Sequence, residues 1–171
     1  MYQRILVPVD GSSTSERGLT EAIAIARMSG GSIRLLHVLD DLVFTTGFEG
    51  GASYLKTVLP QLRQHSEQIL AAARQRAADA GVSVDTLCAE CFARRPSDVI
   101  VEQATAWPAD LIVLGTHGRR GVTRLMLGSD AEQVLRMAAV PVLLVRSSED
   151  RGGVAASTTG AAATAPSPVA R

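Results

Sequence analysis

The chain contains five short apolar runs, "RILVPVD" (4–10), "SIRLLHVLD" (32–40), "VSVDTLCAEC" (82–91), "ADLIVLGT" (109–116) and "VPVLLVR" (140–146). Between them lie segments with apolar residues at helical spacing: "SERGLTEAIAIARMSG", "LRQHSEQILAAARQRAADAG", "PSDVIVEQATAW" and "SDAEQVLRMAA". Strand-length runs alternating with helices predict β-α-β-α-β-α-β-α-β. Runs that lack polar interruption fit strands covered on both faces, hence an α/β fold with an open parallel sheet and helices on either side. In such sheets ligands bind beyond the carboxyl ends of the strands, where strand order reverses. The ends of strands one, two and four are therefore the places to look.

The rest of the chain is sorted by composition. With 46 % hydrophobic and 20 % charged residues, the 171-residue chain has enough apolar material for one domain of ordinary size. From Ser147 onward the sequence becomes small and polar, "SSEDRGGVAASTTGAAATAPSPVAR", and cannot bury enough surface to offset the entropy of ordering it. The expected division is a domain over 1–147 and a disordered low-complexity tail over 148–171. A polar stretch from Asp41 to about Tyr54 reads as a long loop. Seventeen basic residues balance seventeen acidic ones, so no net field draws the chain to nucleic acid. No apolar run has membrane-spanning length and the N-terminus lacks a signal-peptide pattern, so the expectation is a cytoplasmic protein with no membrane partner.

Cys88 and Cys91 are too few for a disulfide framework, and their spacing falls at the end of a strand rather than at a helix N-terminus. They read as two small, largely buried thiols. His37 reads as a neutral imidazole in or beside the core, and His65 as part of a helix face. Three scattered histidines make no metal site. No nucleophile is visibly paired with a base, so catalytic residues are not assigned and enzymatic activity is left open.

"GTHGRRGVTRLMLGS" (115–129) is the most informative stretch. Glycines let backbone N–H groups approach a phosphate without a Cβ in the way, and the helix that follows aims its N-terminus at the anion. The plainer alternative is a connection in which Ser129 is an ordinary N-cap, in a capping box with Glu132.

Gly115-x-x-Gly118, nine residues and Gly128-Ser129 resemble the nucleotide-binding signature of the universal stress protein family, in its ATP-binding branch. "ILVPVDGSSTSERGL", "LLHV", "ADLIVLGTHGRRG" and "VPVLLVR" are similar to that family too, in its order and spacing. The resemblance implies a Rossmann-like sheet of order 3-2-1-4-5, ATP at the strand ends and a homodimer paired through strand 140–146. Pro8, Val9 and Asp10 would end strand one, with Asp10 at the ribose hydroxyls, and Val38 would offer its backbone to adenine. Gly115, Thr116, His117 and Gly118 would close over ribose and α-phosphate. Arg119, Arg120 and Gly121 belong to the same loop, while Gly128 and Ser129 would hold the outer phosphates. The role implied is a nucleotide-dependent stress-response switch or binding module. A nucleotide-free dimeric module and an adenylating enzyme are the alternatives.

Asp130 departs from the pattern, because the family more often has a small or apolar residue there. Two unit charges ~4 Å apart at an effective dielectric of ~20 repel by roughly 4 kcal/mol. Arg119, Arg120 and Arg124 could offset that repulsion. Asp130 could also help hold a Mg²⁺ bridging the outer phosphates, since that ion takes one or two carboxylates and keeps its waters. ATP with Mg²⁺ is therefore the expected ligand, with binding that weakens in EDTA. The turn Ala93-Arg94-Arg95-Pro96, where the family often has glycine, carries no functional consequence.

Overall fold

The apolar runs become strands whose successive side chains enter two different cores. In the computed structural model, which describes residues 2–39, 59–91, 94–116 and 127–146, the elements follow in the expected order. They are β1 (Arg4–Pro8), α1 (Ser13–Ser29), β2 (Ser32–Leu39), α2 (Leu59–Asp79), β3 (Ser83–Glu90), α3 (Pro96–Ala106), β4 (Leu111–Gly115), α4 (Ser129–Met137) and β5 (Val142–Val145). The strands form one parallel sheet in the order β3-β2-β1-β4-β5. The long loop near 41–54, residues 117–126 and the tail from 147 lie outside the described residues.

Alternation along β1 shows why the sheet must be covered twice. Ile5 and Val7 join Leu19 and Ala22 of α1, Leu70 of α2, and Ile33, Leu35 and Val113 of neighbouring strands. Leu6, between them, joins Leu36, Ile112 and Leu114 against Ile100 of α3 and Val134 of α4. Each fully buried aliphatic side chain contributes about 1.5–3 kcal/mol relative to exposure, so the central strands β1 and β4 cannot lose either layer. The sheet edges are less covered: β3 mixes exposed and half-buried residues, and in β5 only Val145 is buried.

That edge position corrects one expectation. Cys91 is buried, with its Sγ–H donating to Leu39 O at 3.1 Å, whereas Cys88 on β3 is exposed. Neither is in a disulfide.

Chain reversal occurs around β1. From β1 the chain runs outward through β2 to β3, then returns by way of α3 to β4 on the other side of β1. The carboxyl ends of β1 and β4 therefore diverge into helices on opposite faces, which opens a crevice between them.

Candidate functional site

The turn after β1 is built from its own side chains. Gly11 has φ +79°, a left-handed conformation that a Cβ would oppose, and it lets Asp10 face back toward Ser12. Asp10 Oδ1 accepts from the Ser12 hydroxyl at 2.6 Å and from the Ser12 N–H at 3.0 Å. Ser12 is the N-cap of α1, its Oγ accepting from Ser15 N at 3.2 Å. Asp10 thus braces the cap rather than being the cap, and its carboxylate stays at the strand end.

His37 is buried, with Nδ1 2.6 Å from the Val9 carbonyl oxygen. A carbonyl can only accept, so Nδ1 carries the proton and ties the end of β1 to β2. Val9 N–H donates to Leu36 O at 2.8 Å. Backbone groups alternate sides along a strand, so the N–H and C=O of Val38 share the Leu36 edge, at the point where β1 has ended at Pro8.

The end of β4 is shaped by close packing. A Cβ on Gly115 would lie 2.9 Å from the Thr14 carbonyl carbon and 3.0 Å from Ser15 N. The first turn of α1 therefore presses directly on this backbone, a local reason for glycine distinct from the ligand contact anticipated for it. Thr116 N–H donates to Val145 O and its carbonyl accepts from Gly128 N–H, each at 2.9 Å, so both ends of the glycine-arginine loop are pinned together.

This pinning shifts the start of α4. The predicted box with Ser129 as N-cap does not form: Gly128 is the N-cap, its carbonyl accepts from Glu132 N at 2.9 Å, and Ser129 is the first helical residue. Glu132 instead pairs with Arg136 at 2.6 Å, one turn along. The Ser129 hydroxyl and Asp130 carboxylate have no hydrogen-bond partner among the described residues. The amides of Ser129, Asp130 and Ala131 precede the first intrahelical bond, which is the arrangement that gives a helix N-terminus its anion affinity.

These ends meet around a cleft of about 370 Å³. Pro8, Val9, Asp10, Val38, Gly115, Thr116, Gly128, Ser129 and Asp130 all line it. His117, Gly118, Arg119, Arg120 and Gly121 lie outside the described residues. Sequence reasoning missed Ser15 of α1, Leu62, His65 and Ser66 of α2, and Pro96 and Ile100 of α3, which also line the cleft. Leu62, His65 and Ser66 fall three and four apart on one helix face, a spacing visible in the sequence. Two carboxylates, Asp10 and Asp130, but no lysine or arginine appear among the described lining residues. No group of three or more potential metal ligands occurs among the described residues, and no described helix is long and apolar enough to cross a membrane.

An open parallel α/β sheet with a cleft at its reversal point, floored by strand ends and a helix N-terminus, defines a doubly wound α/β protein. Within that class the chain belongs to the universal stress protein family, which it matches over residues 1–146. It is 34% identical over 146 residues to a universal stress protein of Methanocaldococcus jannaschii, covering 85% of this chain and 83% of that one. Among solved structures it is similar to the universal stress protein UspA from Lactobacillus plantarum, with a TM-score of 0.75 and 28% identity over 85% of this chain and 98% of the other. It is similar as well to a universal stress protein in complex with cAMP, with a TM-score of 0.61 and 27% identity over 86% and 98% of the two chains.

Proposed function

We propose that the cleft binds an adenine nucleotide, ATP with Mg²⁺, and that the protein acts as a nucleotide-dependent stress-response switch or binding module. The observation that carries this reading is the convergence of the Val38 backbone edge, the Asp10 carboxylate and the open amides of Ser129, Asp130 and Ala131 on one cleft. They offer what a base edge, ribose hydroxyls and a phosphate respectively require. The family relative solved with cAMP supports an adenine-containing ligand. Asp130 and the Ser129 hydroxyl form an oxygen donor set suited to a Mg²⁺ carried by the phosphates. In this reading His117, Gly118, Arg119, Arg120 and Gly121 complete the phosphate cradle.

The homodimer is proposed through strand 140–146. As the sheet edge, β5 offers unpaired backbone groups, and Leu143, Leu135 and Met137 nearby in sequence are exposed. Pairing two such edges about a two-fold axis removes them from water. A monomeric mass by light scattering at micromolar concentration would contradict this.

Nucleotide binding is tested by denaturing the purified protein, identifying released nucleotide by mass spectrometry, and titrating the emptied protein with ATP and Mg²⁺. Saturable one-site binding is expected. Neither retained nucleotide nor binding at millimolar ATP would favour a nucleotide-free module, whereas pyrophosphate release with a co-substrate would favour an adenylating enzyme.

A further inference from the structure

We propose that Asp130 makes the cleft select the charge of the phosphate chain, admitting a nucleoside monophosphate or a metal-neutralised polyphosphate and rejecting a free polyphosphate. The inference rests on the reading of the cleft as an adenine-nucleotide site.

Asp130 is the second residue of α4, beside Ser129, and both line the cleft. The other acidic residue of that turn, Glu132, is neutralised by Arg136 at 2.6 Å. Asp10, the second carboxylate in the cleft, is engaged by Ser12 at the end of β1. Among the described residues, the charge of Asp130 is therefore the unpaired one in the first turn of α4, where no lysine or arginine lines the cleft. It also offsets the partial positive charge of the helix N-terminus, which would otherwise attract the anion. Each phosphate charge added near Asp130 increases the repulsion, so the penalty grows from monophosphate to triphosphate. A divalent cation reverses the sign, because the same carboxylate then faces a metal it can ligate directly or through water.

Calorimetric titration of the full chain with AMP and with ATP, each in EDTA and in Mg²⁺, reads this selection. In EDTA the unaltered protein should bind AMP at least about tenfold more tightly than ATP, and Mg²⁺ should close most of that gap. Asp130→Asn, with Asp130→Ala as a second variant, should tighten ATP in EDTA by about tenfold or more while moving AMP much less. Equal affinity for AMP and ATP in EDTA, or a ratio unchanged in both variants, would overturn the selection while leaving the cleft assignment standing. Binding of neither nucleotide under any condition would overturn the cleft assignment, and the selection with it.

Discussion

Gly18 of α1 and Gly115 of β4 lie where this helix packs on this strand, yet alanine should have opposite effects at the two positions. At Gly18, inside α1, an added Cβ would sit 3.6 Å from Gly115 N and 4.0 Å from Val113 Cγ1, ordinary contact distances. Alanine there gains helix propensity of about 1 kcal/mol over glycine. At Gly115 the Cβ would meet the Thr14 carbonyl carbon at 2.9 Å, Ser15 N at 3.0 Å and Thr14 Cβ at 3.0 Å. Backbone cannot rotate away as a flexible side-chain tip can, so α1 must move off β4, an overpacking cost of about 1–3 kcal/mol. For a chain of this size, 1 kcal/mol shifts Tm by about 2–4 °C. Gly18→Ala should therefore raise Tm by about 2–4 °C, and Gly115→Ala should lower it by about 2–12 °C, in thermal unfolding followed by circular dichroism. Because the displaced turn carries Ser15, which lines the cleft, Gly115→Ala should also weaken ligand binding. A Gly115→Ala protein as stable as the parent would refute the close approach of α1 to β4.

His37→Leu should cost about 1–3 kcal/mol in urea unfolding, since it removes a buried donor from the Val9 carbonyl; an unchanged midpoint would mean that this tie does not hold β1 to β2. Partial burial pushes the Cys88 thiol up, a hydrogen bond with Ser66 opposes this, and Glu90 and Glu67 add to the rise. The raised value favours the neutral thiol, so less of the reactive thiolate is present near neutral pH in the folded state than in the unfolded one. Iodoacetamide should therefore label Cys88 more slowly in the native than in the urea-unfolded protein at pH 7.5, with the native rate climbing only at higher pH. Cys91 should react only on unfolding. Equal native and unfolded rates for Cys88 at pH 7.5 would contradict the shift.

The order of elements was legible because both layers of the core need strands that are apolar on both faces, and β1 and β4 advertise this as unbroken runs. The exposure of Cys88 was not, since residue type alone makes both cysteines read as small buried thiols, although the implied order 3-2-1-4-5 already put β3 at the edge. The cap of α4 was misread for a similar reason. "SDAE" suits an N-cap at Ser129, but the Thr116 carbonyl grips Gly128 N–H and Arg136 takes Glu132, so the cap falls one residue earlier, at Gly128. Val38 shows the converse: its residue type says little, and its place in the cleft comes from lying two residues beyond Leu36, the last residue that β1 pairs. The α2 side of the cleft was hidden because helical spacing groups Leu62, His65 and Ser66 without saying which strand end they overhang.

Titrating isotopically labelled protein with ATP and Mg²⁺ while following backbone amide resonances tests whether the strand-end cleft is an adenine-nucleotide site. The resonances of Asp10, Val38, Gly128, Ser129 and Asp130 should shift together along one saturating curve. Shifts confined to the β5 edge, or no shifts at millimolar nucleotide, would contradict it.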